Sequence, residues 1–276
     1  MGQAIAGAYI AGGHPTTVWN RTPGKADELV ERGAAIAPTV SDAVAASRVT
    51  IVSVLNYDVA DEVLRSSAGA LVGKIVLNLT SDTPARARRT ATWATGRRAG
   101  YLDGSILTPS YTIGTDAAAV LVAGPAPLFE DERSTLAPLG GSATHVGEDY
   151  GRAAAYDVAL LDAFWTTISG ITHGFALGRA EGIAPTELLP LSLGLVDILP
   201  AIITDIAERS SAGNHGDGTS SILSARTAMA HIARASRDRG LDDGVLRAAA
   251  AVAGLAIADG HGADEVSRLV EAAAKR

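Results

Sequence analysis

The chain has 276 residues, of which 47% are hydrophobic and 19% are charged, and this composition excludes extensive disorder. Its net charge of -7 disfavours general binding to nucleic acid, although a local basic pocket for one phosphate stays open. It has no cysteine, which excludes disulfides and cysteine-ligated metal sites and fits a cytoplasmic location. Because no signal peptide and no uninterrupted apolar run of about 20 residues is evident, we expect no association with a membrane.

The first half of the chain alternates short apolar runs with amphipathic segments. Helices are predicted at residues 25–32 and 83–97, and strands at residues 16–19, 49–55, 74–79, 100–102, 118–122 and 144–146. Continuous apolar strands separated by helices are typical of a parallel sheet that is covered on both faces. We therefore predict a doubly wound, Rossmann-type α/β domain over residues 1–147.

The second half has no convincing strand and is predicted to be all-helical over residues 148–276. Its first helix, at about residues 151–181, is periodic in apolar residues and long for a globular protein. We expect this helix to connect the two domains. Further helices are predicted at residues 187–193, 197–208, 221–239, 243–259 and 264–274.

The N-terminal residues indicate part of a dinucleotide site. Residues 2–12 fit the helix that follows a glycine-rich phosphate turn, and residues 16–19 fit the second strand of a βαβ unit. Gly2 can be only the last glycine of such a turn, because the rest of the G-x-G would lie upstream. An ordinary N-terminal helix explains these residues equally well.

The residues after the strand at 16–19 indicate which cofactor such a site would take. An acidic residue at this position binds the ribose of NAD, whereas an arginine accommodates the 2′-phosphate of NADP. The sequence has Asn20 and Arg21 and no acid, Thr22 adds a hydroxyl, and Lys25 adds a second positive charge. We therefore predict NADPH as the cofactor; the alternative is a solvated turn that opens the next helix.

Short motifs along nearly the whole chain resemble the NADPH-dependent imine reductases, which belong to the wider 6-phosphogluconate and β-hydroxyacid dehydrogenase superfamily. That family begins with a strand and a G-x-G-x-x-G turn, of which this sequence has only the final Met1-Gly2, so we expect a sheet that lacks its first strand. The motifs that carry the resemblance are residues 1–2, 13–14, 19–25, 103–106, 113–115, 156–161, 165, 173–174, 216–217, 231 and 260–262.

The resemblance assigns the catalytic role to Asp157. In β-hydroxyacid dehydrogenases a catalytic lysine matches the position of Asp157, and an asparagine matches the position of Leu161. A lysine suits an alcohol or carbonyl, whereas a carboxyl group suits an imine, either as a proton donor or as a counter-charge for the iminium ion. A solvated aspartate near a helix N-terminus is the alternative.

Further residues are predicted to surround the reacting groups. Leu161 and Trp165 follow Asp157 at intervals of four, so they share its helix face and form an apolar slot with one acidic tip. A core tryptophan explains Trp165 equally well. His215, in a predicted loop, could border the substrate groove. The six histidines have no metal-ligand spacing, and we predict no metal site.

Two loops are predicted to line the nicotinamide groove, because ligands of open α/β sheets bind outside the carboxyl ends of the strands. Leu55 and Asn56 follow one apolar strand, and Asn78 and Thr80 end the next. Turn chemistry alone could also explain the two asparagines.

The leading functional hypothesis is NADPH-dependent reduction of an imine or iminium to an amine. A β-hydroxyacid dehydrogenase-type oxidoreductase is the alternative enzyme, and the missing lysine and asparagine argue against it. A degenerate, dimeric Rossmann homologue that no longer binds cofactor is the non-enzyme alternative. The resemblance also implies an intertwined homodimer, and the residues at 188–199, apolar on more than one side, agree with it.

Overall fold

The computed structural model describes residues 1–274, which divide into two compact units between Asp162 and Ala163. The N-terminal unit contains seven strands among its described residues. They are β1 (Thr17–Val18), β2 (Ala35–Ile36), β3 (Val49–Val52), β4 (Ile75–Asn78), β5 (Gly100–Ile106), β6 (Val120–Ala123) and β7 (Thr144–Gly147). Its helices are α1 (Gly2–Ala11), α2 (Asp27–Glu31), α3 (Val40–Ala46), α4 (Tyr57–Ser66), α5 (Pro84–Thr95), α6 (Ala126–Asp131) and α7 (Arg133–Leu136).

The strands form two sheets. β1 and β2 pair in parallel, and the larger sheet has the order β3-β4-β5-β6-β7. A doubly wound fold, with its strands numbered along the chain, has the spatial order 3-2-1-4-5-6. In this numbering β1 and β2 correspond to strands 2 and 3, and β3, β4 and β5 correspond to strands 4, 5 and 6. Strand 1 of that fold lies between strands 2 and 4, which correspond here to β1 and β3. Among the described residues no strand pairs with both β1 and β3, and the strands form two separate sheets.

The larger sheet is parallel, as predicted, with one exception. β5 pairs with β6 in antiparallel orientation. Parallel neighbours need a crossover, usually a helix, to carry the chain back to the starting edge. The link between β5 and β6 contains only the short 3₁₀ turn Ser110–Thr112, and Leu107 N donates to Ala119 O at 2.9 Å, which extends the antiparallel pairing.

Both faces of the larger sheet are buried, because successive side chains of a strand point to opposite faces. In β4 and β5, Val76 and Tyr101 pack on one face with residues of α3, α4 and α5. Leu77 and Leu102 pack on the other face with residues of α1 and α6. This two-sided core confirms the α/β class predicted from the continuous apolar runs.

Helices dominate the rest of the chain. α8 (Arg152–Ala180) begins in the N-terminal unit and ends in the C-terminal unit. It is followed by α9 (Pro185–Asp197), α10 (Leu199–Ala212), α11 (Ile222–Asp238), α12 (Gly244–Ala258) and α13 (Leu269–Ala274). The C-terminal unit has a small core, in which Ile222 packs with Ala253, Ala256 and Ala272.

The C-terminal unit leaves much apolar surface uncovered. Neither α9 nor α10 contains a buried residue. The helical stretch Pro185–Ala212 has a mean hydropathy of 1.7 over its most apolar window and is long and apolar enough, by length and composition, to cross a membrane. This stretch contains no uninterrupted apolar run of spanning length, because Asp197 and Asp205 interrupt it.

Candidate active site

The N-terminus of α1 lies at the carboxyl ends of β1 and β3. Gln3 Nε2 donates to Lys25 O, in the loop after β1, at 2.9 Å. A Cβ at Gly2 would lie 3.6 Å from Ser53 O, just beyond β3. The first turn of α1 has no acidic residue and no side-chain cap. Free amides and the helix dipole make such a terminus suitable for a phosphate.

The loop after β1 offers positive charge beside a cleft. Arg21 and Lys25 are exposed, and neither has an ion-pair partner among residues 1–274. Asn20 Nδ2 donates to Thr22 O at 2.8 Å and shapes the turn. The adjoining cleft has a volume of about 300 Å³ and is lined by residues that include Trp19, Asn20, Thr22, Ile36 and Pro38. The predicted set Gly2, Asn20, Arg21, Thr22 and Lys25 therefore fits a phosphorylated nucleotide.

The loop after β3 presents one exposed side chain and one structural side chain. Leu55 is 87% exposed. Asn56 is the N-cap of α4, and its side chain accepts from the amide of Val59 at 3.1 Å. This is the turn chemistry that the sequence left open as an alternative for Asn56. Neither side chain is placed against a cofactor, so their cofactor contacts stay predictions.

At the end of β4, Asn78 and Thr80 are buried. Asn78 Nδ2 donates to the Tyr101 hydroxyl at 3.0 Å, and its Oδ1 accepts from the amide of Thr80 at 3.2 Å. Thr80 Oγ1 in turn accepts from the amide of Val54 at 3.3 Å. Both predicted groove residues therefore support the loop internally, and any contact with nicotinamide also stays a prediction.

A buried carboxyl group sits beneath these loops. Asp103, on β5, is 1% exposed. The hydroxyls of Tyr57 and Tyr101 both donate to its Oδ2, Tyr101 at 3.0 Å. Burial raises the pKa of Asp103 to about 7, although the two tyrosine hydrogen bonds act in the opposite direction. The carboxyl group is therefore close to its protonation midpoint near neutral pH.

Asp157 lies in the second turn of α8 and belongs to the N-terminal unit. It is only 2% exposed, and its Oδ2 has no hydrogen-bond partner among the described residues. Burial raises the pKa of Asp157, and a hydrogen bond from the exposed Ser81 opposes the shift. One turn earlier, Ala154 packs with the buried ring of Tyr57 and with Ala87. Asp157 is therefore not the solvated aspartate of the alternative hypothesis. It is buried, and burial favours its neutral form.

The predicted pocket residues lie in different surroundings. Leu161 and Trp165 are 40% and 60% exposed on α8, and Trp165 contacts Phe164 edge-to-face at 5.2 Å between ring centroids. His215 is buried in the C-terminal unit, where its Nδ1 and Nε2 lie 2.9 Å from Ser267 Oγ and Glu271 Oε1. Both ring nitrogens of His215 are therefore engaged within the protein. No cluster of histidine and carboxylate residues among the described residues could hold a metal ion.

Comparisons with known proteins agree with the geometry of both units. Residues 1–147 match the model for the NAD binding domain of 6-phosphogluconate dehydrogenase, and residues 149–275 match the model for the NADPH-dependent reductive aminase-like C-terminal domain. The first match defines an oxidoreductase with a 6-phosphogluconate dehydrogenase-type cofactor domain.

Individual relatives specify the family. A NADPH-dependent reductive aminase from Aspergillus oryzae is 33% identical over 98% of this chain and 93% of its own length. The imine reductase from Myxococcus stipitatus, solved with NADP+, has a TM-score of 0.93 and 37% identity over 98% of this chain and 96% of that chain. The reductive aminase from Aspergillus terreus, solved with NADPH and ethyl levulinate, has a TM-score of 0.92 and 34% identity, covering 98% and 95%. The chain belongs to the family of NADPH-dependent reductive aminases and imine reductases.

The raised pKa of Asp103 predicts how stability depends on pH. The pKa of Asp103 in the folded protein lies above its ordinary value of 3.8, so the folded state holds this proton more tightly than the unfolded state. The resulting contribution to the free energy of unfolding is complete below about pH 4 and is lost as the pH rises through about 7. Asp103→Asn cannot ionise. The free energy of unfolding of the variant, minus that of the wild type, should rise by roughly 2–3 kcal/mol between pH 5 and 8. Urea unfolding at both pH values measures it, and parallel pH curves for the two proteins would contradict the assignment.

Proposed function

We propose that the protein reduces imines or iminium ions to amines with NADPH. The observation that carries the proposal is the buried Asp157 carboxyl, whose pKa is raised at the position where β-hydroxyacid dehydrogenases have a lysine. Membership of the family and the two solved relatives that hold NADP+ or NADPH support it. The β-hydroxyacid dehydrogenase alternative gains no support from the geometry, because Asp157 is a buried acid and Leu161 cannot hydrogen-bond with its side chain.

The crevice at α1 fits NADPH by its chemistry. The amides at the N-terminus of α1 would bind the pyrophosphate, Arg21 and Lys25 would pair with the 2′-phosphate, and the cleft beside Trp19 would take the adenosine. When bound there, NADPH supplies the hydride that the substrate carbon accepts. Binding of the phosphates needs no displacement of an existing ion pair, since Arg21 and Lys25 have none among the described residues.

Asp157 supplies the proton that the reaction requires. Reduction of a C=N bond adds a hydride at carbon and one proton at nitrogen, so a neutral imine needs an acid. A carboxyl group whose neutral form is favoured by burial donates its proton from Oδ2 to the nitrogen and becomes a carboxylate, which is reprotonated from solvent before the next turnover.

The NADPH assignment predicts a selective loss of affinity in Arg21→Ala. Removing a charge-assisted contact with the 2′-phosphate should weaken NADPH binding by roughly 1.5–3 kcal/mol, or about ten- to a hundredfold, with little change for NADH. Fluorescence titration gives both dissociation constants, and Arg89→Ala, which removes an exposed arginine of α5, serves as the control. An equal loss for both cofactors would refute the assignment, and no binding of either by the wild type would favour the degenerate homologue.

The acid role predicts that Asp157→Ala lowers turnover of cyclic imines by about 10²–10⁴-fold while NADPH binding is nearly intact. Preformed iminium ions need no proton, so their turnover should fall much less. Asp157→Asn should resemble the alanine variant on imines, because an amide is not an acid. Steady-state rates on both substrate types decide the matter: wild-type turnover by Asp157→Ala would remove the catalytic role. A larger loss for iminium ions would instead identify charge stabilisation.

We further propose that the C-terminal unit forms a homodimer through its uncovered helices. Eight large apolar side chains of this surface are 41–73% exposed: Leu189, Leu191, Leu193, Leu195, Val196, Ile198, Ile202 and Ile203. An exposed apolar area of this kind marks an association site. A second copy is favoured over lipid as the cover, because Glu187, Asp197 and Asp205 interrupt the stretch and charged groups are costly inside a bilayer. We also propose a cytoplasmic location, which the lack of cysteine in the sequence fits.

The dimer predicts that Leu191→Glu, at a side chain 73% exposed, lowers the association state. Light scattering at micromolar concentration should give a dimer for the wild type and for Val72→Glu, a comparably apolar and exposed site in the N-terminal unit, and a monomer for Leu191→Glu. A monodisperse, active wild-type monomer would contradict the proposed homodimer. Recovery of the wild type only in detergent would identify lipid as the cover instead.

A further inference from the structure

A chain of hydrogen bonds joins the buried Asp103 to the loop that follows β4. Tyr101, two residues earlier on β5, donates from its hydroxyl to Asp103 Oδ2 at 3.0 Å and accepts from Asn78 Nδ2 at 3.0 Å. Asn78 is the last residue of β4, and its Oδ1 accepts from the amide of Thr80 at 3.2 Å. The start of this loop is therefore bonded to side chains inside the sheet.

The loop that follows β3 is bonded to the same residues at both of its ends. At its start, the amide of Val54 donates to Thr80 Oγ1 at 3.3 Å. At its end, Tyr57 is the first residue of α4, and its hydroxyl donates to Asp103 Oδ2. The amide of Tyr57 also donates to Asp82 Oδ2, in the loop after β4, at 3.4 Å. Both loops therefore depend on contacts that converge on one carboxyl group.

The Asp103 network, which comprises Asp103, Tyr57, Tyr101, Asn78 and Thr80, is closed to solvent. None of these five residues is more than 3% exposed. A buried polar group that loses its partner is not satisfied by bulk water, so each member of the network restricts the arrangement of the next. We therefore expect the network to fix the conformation of both loops more firmly than surface turns would.

The two loops lie where the nicotinamide half of a cofactor would bind. Ligands of open parallel sheets bind outside the carboxyl ends of the strands, and β3 and β4 end side by side at Val52 and Asn78. Arg21 and Lys25, which are proposed to bind the 2′-phosphate, follow β1 in the other sheet. The loops after β3 and β4 would therefore serve the nicotinamide half of NADPH, and the loop after β1 would serve the adenosine half.

We propose that Asp103, with Tyr57 and Tyr101, is a positioning residue for the nicotinamide side of the NADPH crevice. The three buried side chains act on the cofactor through the loops after β3 and β4, which their hydrogen bonds hold in place. The inference rests on the crevice proposed for NADPH. It gives a role to three residues that the proposed proton transfer does not use.

Tyr101→Phe tests this role most directly, because it removes one hydroxyl and keeps the buried ring. The readout is a pair of dissociation constants from titration calorimetry, one for NADPH and one for adenosine 2′,5′-bisphosphate, which is the adenosine half of the cofactor. Tyr101→Phe should weaken NADPH binding by about three- to tenfold, the effect of one lost hydrogen bond, and leave bisphosphate binding unchanged. Arg21→Ala should weaken the binding of both ligands, because both carry the 2′-phosphate.

Thr90→Val is the matched control. Thr90 is also buried in the N-terminal unit, and its hydroxyl donates to Asp61 Oδ1 at 2.7 Å, which joins α5 to α4. The substitution removes one hydrogen bond from a hydroxyl to a carboxylate outside the Asp103 network, so both dissociation constants should keep their wild-type values. Urea unfolding of each variant measures the accompanying loss of stability.

Two substitutions of Asp103 separate its role as an acceptor from its size. Asp103→Asn keeps an oxygen acceptor for the tyrosine hydroxyls, whereas Asp103→Leu keeps a side chain of similar size without one. The affinity for NADPH should stay close to the wild-type value in Asp103→Asn and fall by roughly tenfold or more in Asp103→Leu, with bisphosphate binding unchanged in both. If Asp103→Leu does not fold, Tyr101→Phe and its control decide the question.

The positioning role and the proposed crevice fail in different ways. Wild-type affinity for NADPH in Tyr101→Phe, an equal loss for both ligands in that variant, or the same selective loss in Thr90→Val would overturn the positioning role. An equal loss in Asp103→Asn and Asp103→Leu would also overturn it, because the acceptor would then be irrelevant. Wild-type affinity for both ligands in Arg21→Ala would instead overturn the crevice. These measurements need no turnover, so they do not depend on the acid role of Asp157.

Discussion

The register of three parallel strands is the constraint on which the site depends. It pairs Val52 of β3 with Asn78 of β4, and Asn78 with Asp103 of β5. These residues form one row across the sheet, and the loops that carry Ser81 and the contact with Gly2 begin just beyond it. A slip of one residue would turn Asp103 to the opposite face, among the apolar side chains under α1, where the hydroxyl of Tyr9 already donates to Thr135 O.

In the N-terminal unit, the basic residues of the proposed cofactor site are exposed, whereas two acidic residues, Asp103 and Asp157, are buried. The net charge of the chain is -7, yet Arg21 and Lys25 in the loop after β1 are exposed and have no ion-pair partner among residues 1–274. Charges at such a rim recognise an anionic cofactor but are screened by solvent. Asp103 and Asp157 are buried, and burial favours their neutral forms. Of the two roles that the sequence left open for Asp157, this direction favours the proton donor over the fixed counter-charge.

The sequence predicts the architecture well because continuous apolar runs and glycine-punctuated helices are local signals. It predicts neither β2, which has two exposed residues, nor the helices α3, α4, α6 and α7; the start of α4 at the Asn56 cap was assigned to a groove loop. It also ends the fifth strand at residue 102, whereas β5 continues to Ile106. The available signal was period two: Tyr101 and Asp103 point to the same face, and a carboxylate inside a buried strand requires hydrogen-bond partners.

The partners of Asp103 could not be read from the sequence, because Tyr57 lies 46 residues away and meets it only through the packing of α4 on the sheet. The same holds for the burial of Asp157, because Ala154, one turn earlier on α8, packs with Tyr57 and Ala87 from distant parts of the chain. His215 differs from these residues, because its place in a loop is itself a signal that favours a functional role. In the structure it is buried, and its two ring nitrogens contact Ser267 and Glu271.

The proposed dimer bears on the stability of the C-terminal unit. Its described core has one buried isoleucine and three buried alanines, with Val252, Ile257 and Leu269 partly buried against them, which is a small core for five helices. In the proposed dimer, the second copy supplies the missing burial, so folding and association of this unit become one equilibrium. α8 belongs to both processes, since it carries Asp157 in its buried first turns and the exposed Leu161 and Trp165 in the turns that follow. Dilution below the dissociation constant of the proposed dimer would therefore destabilise the C-terminal unit together with the part of α8 that lies in it.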